Sequence, residues 1–116
     1  MKDPYIRRCS LLRIIDGDTL RLHVDLGWNV FSDHNVRLLR VNAPEMKGDT
    51  LAAAQVAKQW VTDWLSAHAT NTQWPFVIHS EKDDAFGRYL VELYDLADAN
   101  LNDDLLASGN AVPYVR

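Results

Sequence analysis

Cysteine is nearly absent from this sequence, and so are long apolar segments. Cys9 is the single cysteine among 116 residues, so no disulfide bond can form within the chain. The apolar runs are shorter than the roughly 20 residues that a membrane-spanning helix requires, and Met1 is followed by Lys2, Asp3 and Pro4 instead of an apolar signal core. We therefore expect a soluble, cytoplasmic protein that folds without disulfides.

Basic residues are fewer than acidic ones. Twelve Lys and Arg stand against sixteen Asp and Glu, which gives a formal net charge of -4. This balance argues against a broad basic surface that binds duplex DNA through many phosphates. It favours a local pocket, in which a few arginines or a bound cation would hold an anionic ligand.

The composition is that of an ordinary folded domain. Hydrophobic residues make up 47% of the chain and charged residues 24%, which argues against disorder. A chain of 116 residues can bury one core but not two. We therefore expect a single domain over residues 1–116.

Alternating apolar residues predict strands in the first third of the chain. Two β-rich stretches within residues 6–25 flank the letters IDGD at residues 15–18, a pattern typical of a hairpin. The polar and glycine-containing residues 26–35 predict a loop or an elongated hairpin tip. The letters VRLLRVN, residues 36–42, then predict a third strand that ends before a proline.

A spacing of three and four between apolar residues predicts a long helix over residues 51–68, with Thr50 or Asp49 as its N-cap. A shorter helix is predicted over residues 101–108, with Gly109 placed to end it. Both segments lie in the second half of the chain. The sequence therefore predicts one long and one short helix.

Residues 75–81 and 87–95 are rich in β-formers and predict two further strands around an aspartate-rich turn. The resulting order is β-β-β-α-β-β-α. Five strands in such an order can close as a small Greek-key barrel of the oligonucleotide-binding (OB) type. We predict an α+β fold built on this barrel.

Arg37 is an unusual residue for a structural strand. The alternation in residues 36–42 places it on the same face as Leu39 and Val41, and a buried arginine is rarely left without a partner. We therefore expect an anion opposite its guanidinium group. For a single strand arginine, the more common explanation is an ion pair with an acid in the barrel wall.

Three segments in order resemble the staphylococcal nuclease, or thermonuclease, family. They are IIDGDTL at residues 14–20, VRLLRVNAPE at residues 36–45 and DDAFGRYL at residues 83–90, and the resemblance extends from Ile14 to Tyr114. It implies a calcium-dependent phosphodiesterase that acts as an endonuclease on DNA or RNA and prefers single strands. The chain ends at Arg116, without the C-terminal helix of that family.

The resemblance also implies catalytic roles for three residues. Arg37 and Arg88 would hold the scissile phosphate, and Glu45 would position or deprotonate the attacking water. The residue types suit this chemistry, because paired guanidinium groups offer bidentate donors to the nonbridging phosphate oxygens. Glutamate is a common group for orienting or deprotonating water.

The implied calcium ligands are Asp18, Asn42 and the backbone carbonyl of Ala43. Carboxylate and carbonyl oxygens are the ligands that calcium prefers. The best-known members of the family carry aspartate where this chain has Asn42, so one ligand charge is lost. We expect weaker calcium binding or a preference for another divalent cation. Asp16 is interpreted as a structural residue of the turn.

Phe86 and Tyr114 are the implied substrate-binding residues. Phe86 stands where the family has a tyrosine, and its ring could stack on a base. Trp28, with Val30 and Phe31, could form an exposed apolar loop that stacks bases or docks a partner, although a loop folded onto its own domain is an equal alternative.

A second class of function stays open. The same barrel could be a catalytically weak or inactive module that binds nucleic acid or protein, since a fold does not guarantee an activity. Asn42 and the acidic net charge favour this alternative. The presence of both arginines and Glu45 in register favours the enzyme. The sequence leaves the choice between DNA and RNA and the oligomeric state open.

Overall fold

The predicted strands and helices assemble into a barrel flanked by two helices. The computed structural model describes residues 5–83 and 88–114, without the side chains of residues 82 and 83. Within these residues the elements are β1 (Tyr5–Asp16), β2 (Thr19–Asp25), β3 (Phe31–Leu38), β4 (Val41–Asn42), α1 (Leu51–His68), β5 (Phe76–Asp83), β6 (Tyr89–Asp95), α2 (Leu101–Ser108) and β7 (Val112–Pro113).

Five strands close the barrel in the order β1-β2-β3-β6-β5, and β1 pairs with both β2 and β5. The β3–β6 pair is parallel and the other neighbours in the barrel are antiparallel. The short strands β4 and β7 form a separate antiparallel pair. The fold is therefore α+β, with a closed mixed barrel that is consistent with an OB-fold-like barrel, as the sequence predicted.

The predicted β1–β2 hairpin is confirmed, and its turn is packed closely against the rest of the molecule. A Cβ atom on Gly17 would lie 2.9 Å from Cβ of Ala43 and 3.1 Å from Cβ of Ala57. Only glycine fits there without displacing a neighbour. The amide of Asp18 donates to Oδ1 of Asp16 at 3.1 Å, so the structural role predicted for Asp16 is also confirmed.

Of the two alternatives for residues 26–35, the elongated hairpin tip is confirmed and the loop is wrong from residue 31 onward, because β3 begins at Phe31 and pairs back on β2. The connection itself is short, because the amide of Leu26 donates to the carbonyl of Val30 at 2.9 Å. The polar residues that suggested a loop have partners across the ladder: Asp33 bonds to His23, and Asn35 accepts from Arg21.

The third strand does not continue unbroken to residue 42. It ends at Leu38, and Arg40 adopts a left-handed conformation with φ of 68° before β4 begins. The Arg40 guanidinium donates to both carboxylate oxygens of Glu92 at 2.7 Å and to Asp103 at 2.7 Å. These contacts explain the bend, because they require the side chain to reach β6 and α2.

Both predicted helices are confirmed at their bounds. Thr50 occupies the N-cap position of α1 without capping it through its side chain; its hydroxyl donates to the carbonyls of Glu45 and Lys47. In α2, Asn100 caps the first turn by accepting from the amide of Asp103 at 2.7 Å. Gly109 ends the helix with φ of 80°, a conformation that favours glycine.

The core lies inside the barrel and continues beneath both helices. Asn102 of α2 is fully buried, and its amide group bonds to Leu39, Val91 and Leu93 of the barrel wall. Cys9 is also fully buried, between β2 and β5, and burial raises the pKa of its thiol to about 12. No helix in the described part of the chain is long and apolar enough to cross a membrane.

Candidate functional site

The β1–β2 turn and the end of β3 bring a carboxylate and a guanidinium group together. Thr19, at the start of β2, lies directly opposite Arg37 on β3, so Asp18 in the turn becomes a neighbour of Arg37. Both side chains are largely buried, since each residue exposes only 8% of its surface. Oδ2 of Asp18 and Nη1 of Arg37 are 3.5 Å apart.

Arg37 is held by several acceptors at once. Its Nη1 donates to the carbonyl of Val41 at 3.1 Å and lies 3.5 Å from that of Leu38, and its Nη2 donates to Oδ1 of Asn42 at 3.1 Å. The ring of Tyr114 lies 5.4 Å from the guanidinium carbon, within range of a cation–π contact. Among the described residues, the expected anion is therefore Asp18.

Asp18 is equally constrained. Its Oδ1 accepts from the hydroxyl of Thr19 at 3.1 Å, and its Oδ2 accepts from the amide of Ala43 at 2.9 Å. The backbone carbonyl of Asp18 accepts from the amide of Leu38 at 2.9 Å. These bonds fix the carboxylate between the turn, β3 and the Asn42–Ala43 segment.

Asp16 adds a second carboxyl group to this region. Burial raises its pKa to about 6, and the hydrogen bond and negative charge of Asp18 contribute in the same direction. The hydrogen bonds that the Asp18 backbone amide and the Thr19 side chain make to Asp16 lower the pKa, but they do not cancel the shift. Placing two carboxyl groups side by side in this way disfavours ionising both unless a positive charge is near.

Arg88 approaches the same region from the start of β6. Its side chain is half-buried, and its Nη1 lies 3.5 Å from the hydroxyl of Thr19. We call the joined set the Asp18–Arg37 cluster; its members are Asp16, Asp18, Thr19, Arg37, Asn42, Ala43, Arg88 and Tyr114. Thr19 was missed from the sequence, although its position opposite Arg37 follows from the hairpin register.

Glu45, which was singled out from the sequence, does not join this cluster. The side chain of Glu45 is 71% exposed and its carboxylate lies 3.0 Å from Nζ of Lys47. Among the described residues, no hydrogen bond or ion pair joins Glu45 to Arg37 or Asp18. Phe86 lies outside the described residues.

The cluster provides a limited set of metal ligands. No group of three or more His, Cys, Asp or Glu residues that could hold a metal ion is found in the part of the chain that the structure describes. The Asp18 carboxylate, the Asn42 amide oxygen and the Ala43 carbonyl are all hard oxygen donors, which suits calcium or magnesium chemistry. Asp18 carries the single charge among these three donors, and the Asn42 oxygen already accepts from Nη2 of Arg37.

The fold and the cluster together define a small α+β barrel protein with a buried arginine–carboxylate site. A scan of the chain against protein-family models finds no match. A search of curated proteins likewise finds no matching relative.

Proposed function

We propose that this protein is a metal-dependent endonuclease that hydrolyses phosphodiester bonds of DNA or RNA, preferably in single strands. We further propose that the barrel is the Greek-key OB-fold of the staphylococcal nuclease family, which the three sequence segments resemble. The observation that carries the proposal is the buried contact between Arg37 and Asp18, with Arg88 joined to it through Thr19.

A barrel wall does not need such a contact for stability. Removing two charges from water is costly, and well-packed apolar residues often replace a buried ion pair without loss. Arg37 could have been a valine, as its strand neighbour Val36 is. The retention of a buried guanidinium beside a carboxylate and a second arginine therefore supports a chemical role for the cluster.

In this proposal the two arginines recognise the scissile phosphate. Hydrolysis concentrates negative charge on the nonbridging oxygens, and guanidinium groups that are already held in place stabilise that charge without reorganising. Arg37 is fixed by its backbone acceptors, and Arg88 approaches from another strand. Tyr114, stacked near Arg37, would contact the sugar or base next to the bound phosphate.

Asp18, Asn42 and the Ala43 carbonyl would hold calcium or another divalent cation. When bound, such an ion lowers the pKa of coordinated water and offsets phosphate charge. Glu45 would orient the water and accept its proton as the P–O ester bond breaks, and solvent would protonate the leaving oxygen. The exposed Glu45–Lys47 pair must open for this role.

The alternative, a binding module without catalysis, has its own support. Glu45 is directed to solvent and paired with Lys47, and Asn42 supplies no charge for a cation. The same arginines would then bind a phosphate without cleaving its ester. The two functions share a ligand class and differ in turnover.

A cleavage time course distinguishes them. A labelled single-stranded oligonucleotide is incubated with calcium, magnesium, manganese or chelator, using wild type, Arg37→Gln and Glu45→Gln. We expect metal-dependent fragments from the wild type and a loss of rate of about 100-fold or more in Arg37→Gln, the usual effect of removing one donor to a developing oxyanion. Glu81→Gln, an exposed glutamate on β5, is the matched control and should retain the rate.

Intact oligonucleotide under every condition, from protein shown to be folded, would contradict the proposal and favour the binding module. Metal-dependent fragments from Glu45→Gln at the wild-type rate would leave the nuclease standing but remove Glu45 from its mechanism.

A further inference from the structure

The outer surface of the barrel continues from the Asp18–Arg37 cluster along β1, β2 and β3. Residues directly opposite each other in a ladder share a face. Thr19 and Arg37 form one row, and the next row on that face contains Arg13, Arg21 and Asn35. Two residues of strand separate the rows, a distance of about 7 Å.

Arg13 and Arg21 are opposed across the β1–β2 ladder. Like charges in this position destabilise a sheet unless an anion lies between them. Arg21 donates to the neutral Asn35 Oδ1 at 2.9 Å, and within residues 5–83 and 88–114 neither arginine forms an ion pair with an acid. The row is therefore a cationic site whose charge the described protein leaves uncompensated.

Aromatic rings follow further along the same surface. His23, Phe31 and Trp74 lie nearly parallel, with ring centroids 5.4 to 5.7 Å apart and interplanar angles of 11° to 27°. Trp74 is buried beneath, whereas Phe31 keeps 42% of its surface exposed. A ring that packs beside two others and keeps this much of its surface exposed offers a place where a base can stack.

The two acidic residues near the aromatic rings each have a partner. Asp25 lies 2.6 Å from Nη2 of Arg8, and Asp33 bonds to His23. The His23 contact compensates the charge of Asp33 only when the imidazole is protonated. Arg13 and Arg21 are the two cations of these rows that have no acidic partner among the described residues. A surface with two uncompensated cations and one open aromatic ring is complementary to a strand with alternating phosphates and bases.

We infer that this surface, which we call the outer track (Arg13, Arg21, His23, Phe31 and Trp74), binds a single-stranded polynucleotide that extends from the Asp18–Arg37 cluster. Arg13 and Arg21 hold a phosphate, and Phe31 stacks on a base. The inference rests on the proposed function, because the track begins at the cluster. It explains how a chain of net charge -4 grips a polyanion through a local stripe.

The first experiment measures binding by fluorescence anisotropy of a labelled single-stranded 12-mer, in chelator to prevent turnover, at several salt concentrations. In Arg13→Gln/Arg21→Gln the affinity should fall about 5- to 25-fold at 0.1 M salt, and the log–log salt slope should flatten by about 0.7 to 1.4. Lys58→Gln removes one positive charge from α1 at a residue that is not part of the track; it is the control and should bind as the wild type does.

The second arm tests the aromatic site. Phe31→Ala should weaken binding about 5- to 150-fold, the range for loss of one stacked base, with little change in salt slope. Val30→Ala removes a neighbouring exposed apolar side chain without a ring and should have no effect. Unchanged affinity in both track variants, with thermal unfolding showing them folded, would overturn the inference.

The last arm separates the track from the proposed nuclease. A nitrophenyl phosphodiester is small enough to reach only the cluster, so the track variants should hydrolyse it at the wild-type rate while losing kcat/KM on the 12-mer. If the wild type hydrolyses neither substrate but the track variants still lose affinity for the 12-mer, the proposed nuclease activity is contradicted and the proposed binding surface is supported. If poly-glutamate at equal charge concentration displaces the 12-mer as well as unlabelled 12-mer does, the surface binds acidic protein and the inference fails.

Discussion

At the scale of single residues, the burial of Arg37 imposes the strongest requirement on its surroundings. Its guanidinium has only protein acceptors and Asp18 to satisfy it within the described structure. A buried charge that loses its partner is costly, whereas loss of both partners together is less so. Arg37 and Asp18 should therefore be coupled in stability, whatever they do with a ligand.

A double-mutant cycle measures this coupling. Arg37→Gln alone should lower the free energy of unfolding by about 1–3 kcal/mol, because Asp18 is left buried without its cation. Asp18→Asn/Arg37→Gln should lose less than the sum of the two single variants, by about 0.5 kcal/mol or more. Urea denaturation gives the three differences. Strict additivity would mean that the 3.5 Å contact contributes nothing.

Asn42 allows a second test at the same scale. If its amide oxygen faces a bound cation, Asn42→Asp adds a charge to the ligand set and should tighten calcium binding. Calcium should then raise the melting temperature more in this variant than in the wild type, by mass action on the native state. Asn71→Asp, an exposed substitution far along the chain, is the control. Equal shifts in both variants would remove Asn42 from the metal site.

At the scale of elements, close packing of the β1–β2 turn determines where the cluster forms. Gly17 lies against Ala43 of the segment after β4 and Ala57 of α1. The turn, the helix and the Asn42–Ala43 segment are thus pressed together at one residue. A larger side chain there would separate them.

Gly17→Ala tests this packing. The added methyl would lie 2.9 Å from Cβ of Ala43, and overpacking of this kind costs typically about 1–3 kcal/mol. Combining it with Ala43→Gly should restore part of the lost stability, because the clashing atom is removed. Thermal and urea unfolding of the three variants measure the effect. Failure of the second change to compensate would show that the turn, and not the contact, is strained.

The end of α1 is tied to the end of β6 by an acid-sensitive contact. Nδ1 of His68 lies 2.6 Å from Oδ2 of Asp95, and Oδ1 of the same carboxylate accepts from the amides of Ala97 and Ala99. Burial alone would raise the pKa of Asp95, but hydrogen bonds from His68, Ala99 and Ala97 outweigh it and lower the pKa below 3.8.

The direction of this shift predicts a pH dependence. The ionised Asp95 stabilises the fold fully above the unfolded pKa of 3.8, and this contribution disappears as the pH falls through the lower folded value. The stability difference between wild type and Asp95→Asn should therefore be constant near neutral pH and shrink below about pH 4. Urea denaturation from pH 7 to pH 2.5 measures it. A difference that grows in acid would contradict the assignment.

At the scale of the whole molecule, the elements that depend on neighbouring residues could be predicted from the sequence better than those that depend on distant residues. The bounds of α1 and α2 follow from apolar spacing and from Gly109, which act within a few residues. For the first half of β3 the sequence left a loop and a hairpin tip as alternatives, because its polar residues find their partners on β2. The left-handed bend at Arg40 depends on Glu92, 52 positions away along the chain, and no local pattern shows it.

The candidate site also has features that the sequence predicted and features that it did not. The hairpin register and the resemblance place Asp18, Arg37 and Asn42 near each other, and the structure brings these three side chains into contact. The raised pKa of Asp16 could not be predicted from the sequence, because it depends on burial against a neighbour. The outward direction of Glu45 depends on its contact with Lys47, which the sequence does not specify.

Modification of Cys9 can report how often the closed barrel opens. The Cys9 residue is fully buried on β1. It pairs in the strand ladders with Val24 of β2 on one side and Phe76 of β5 on the other. A thiol reagent can modify Cys9 only when β1 separates from β2 or β5. The modification rate therefore measures how often the closed barrel opens. Oligonucleotide bound across β1 and β2 would slow that rate in proportion to its occupancy.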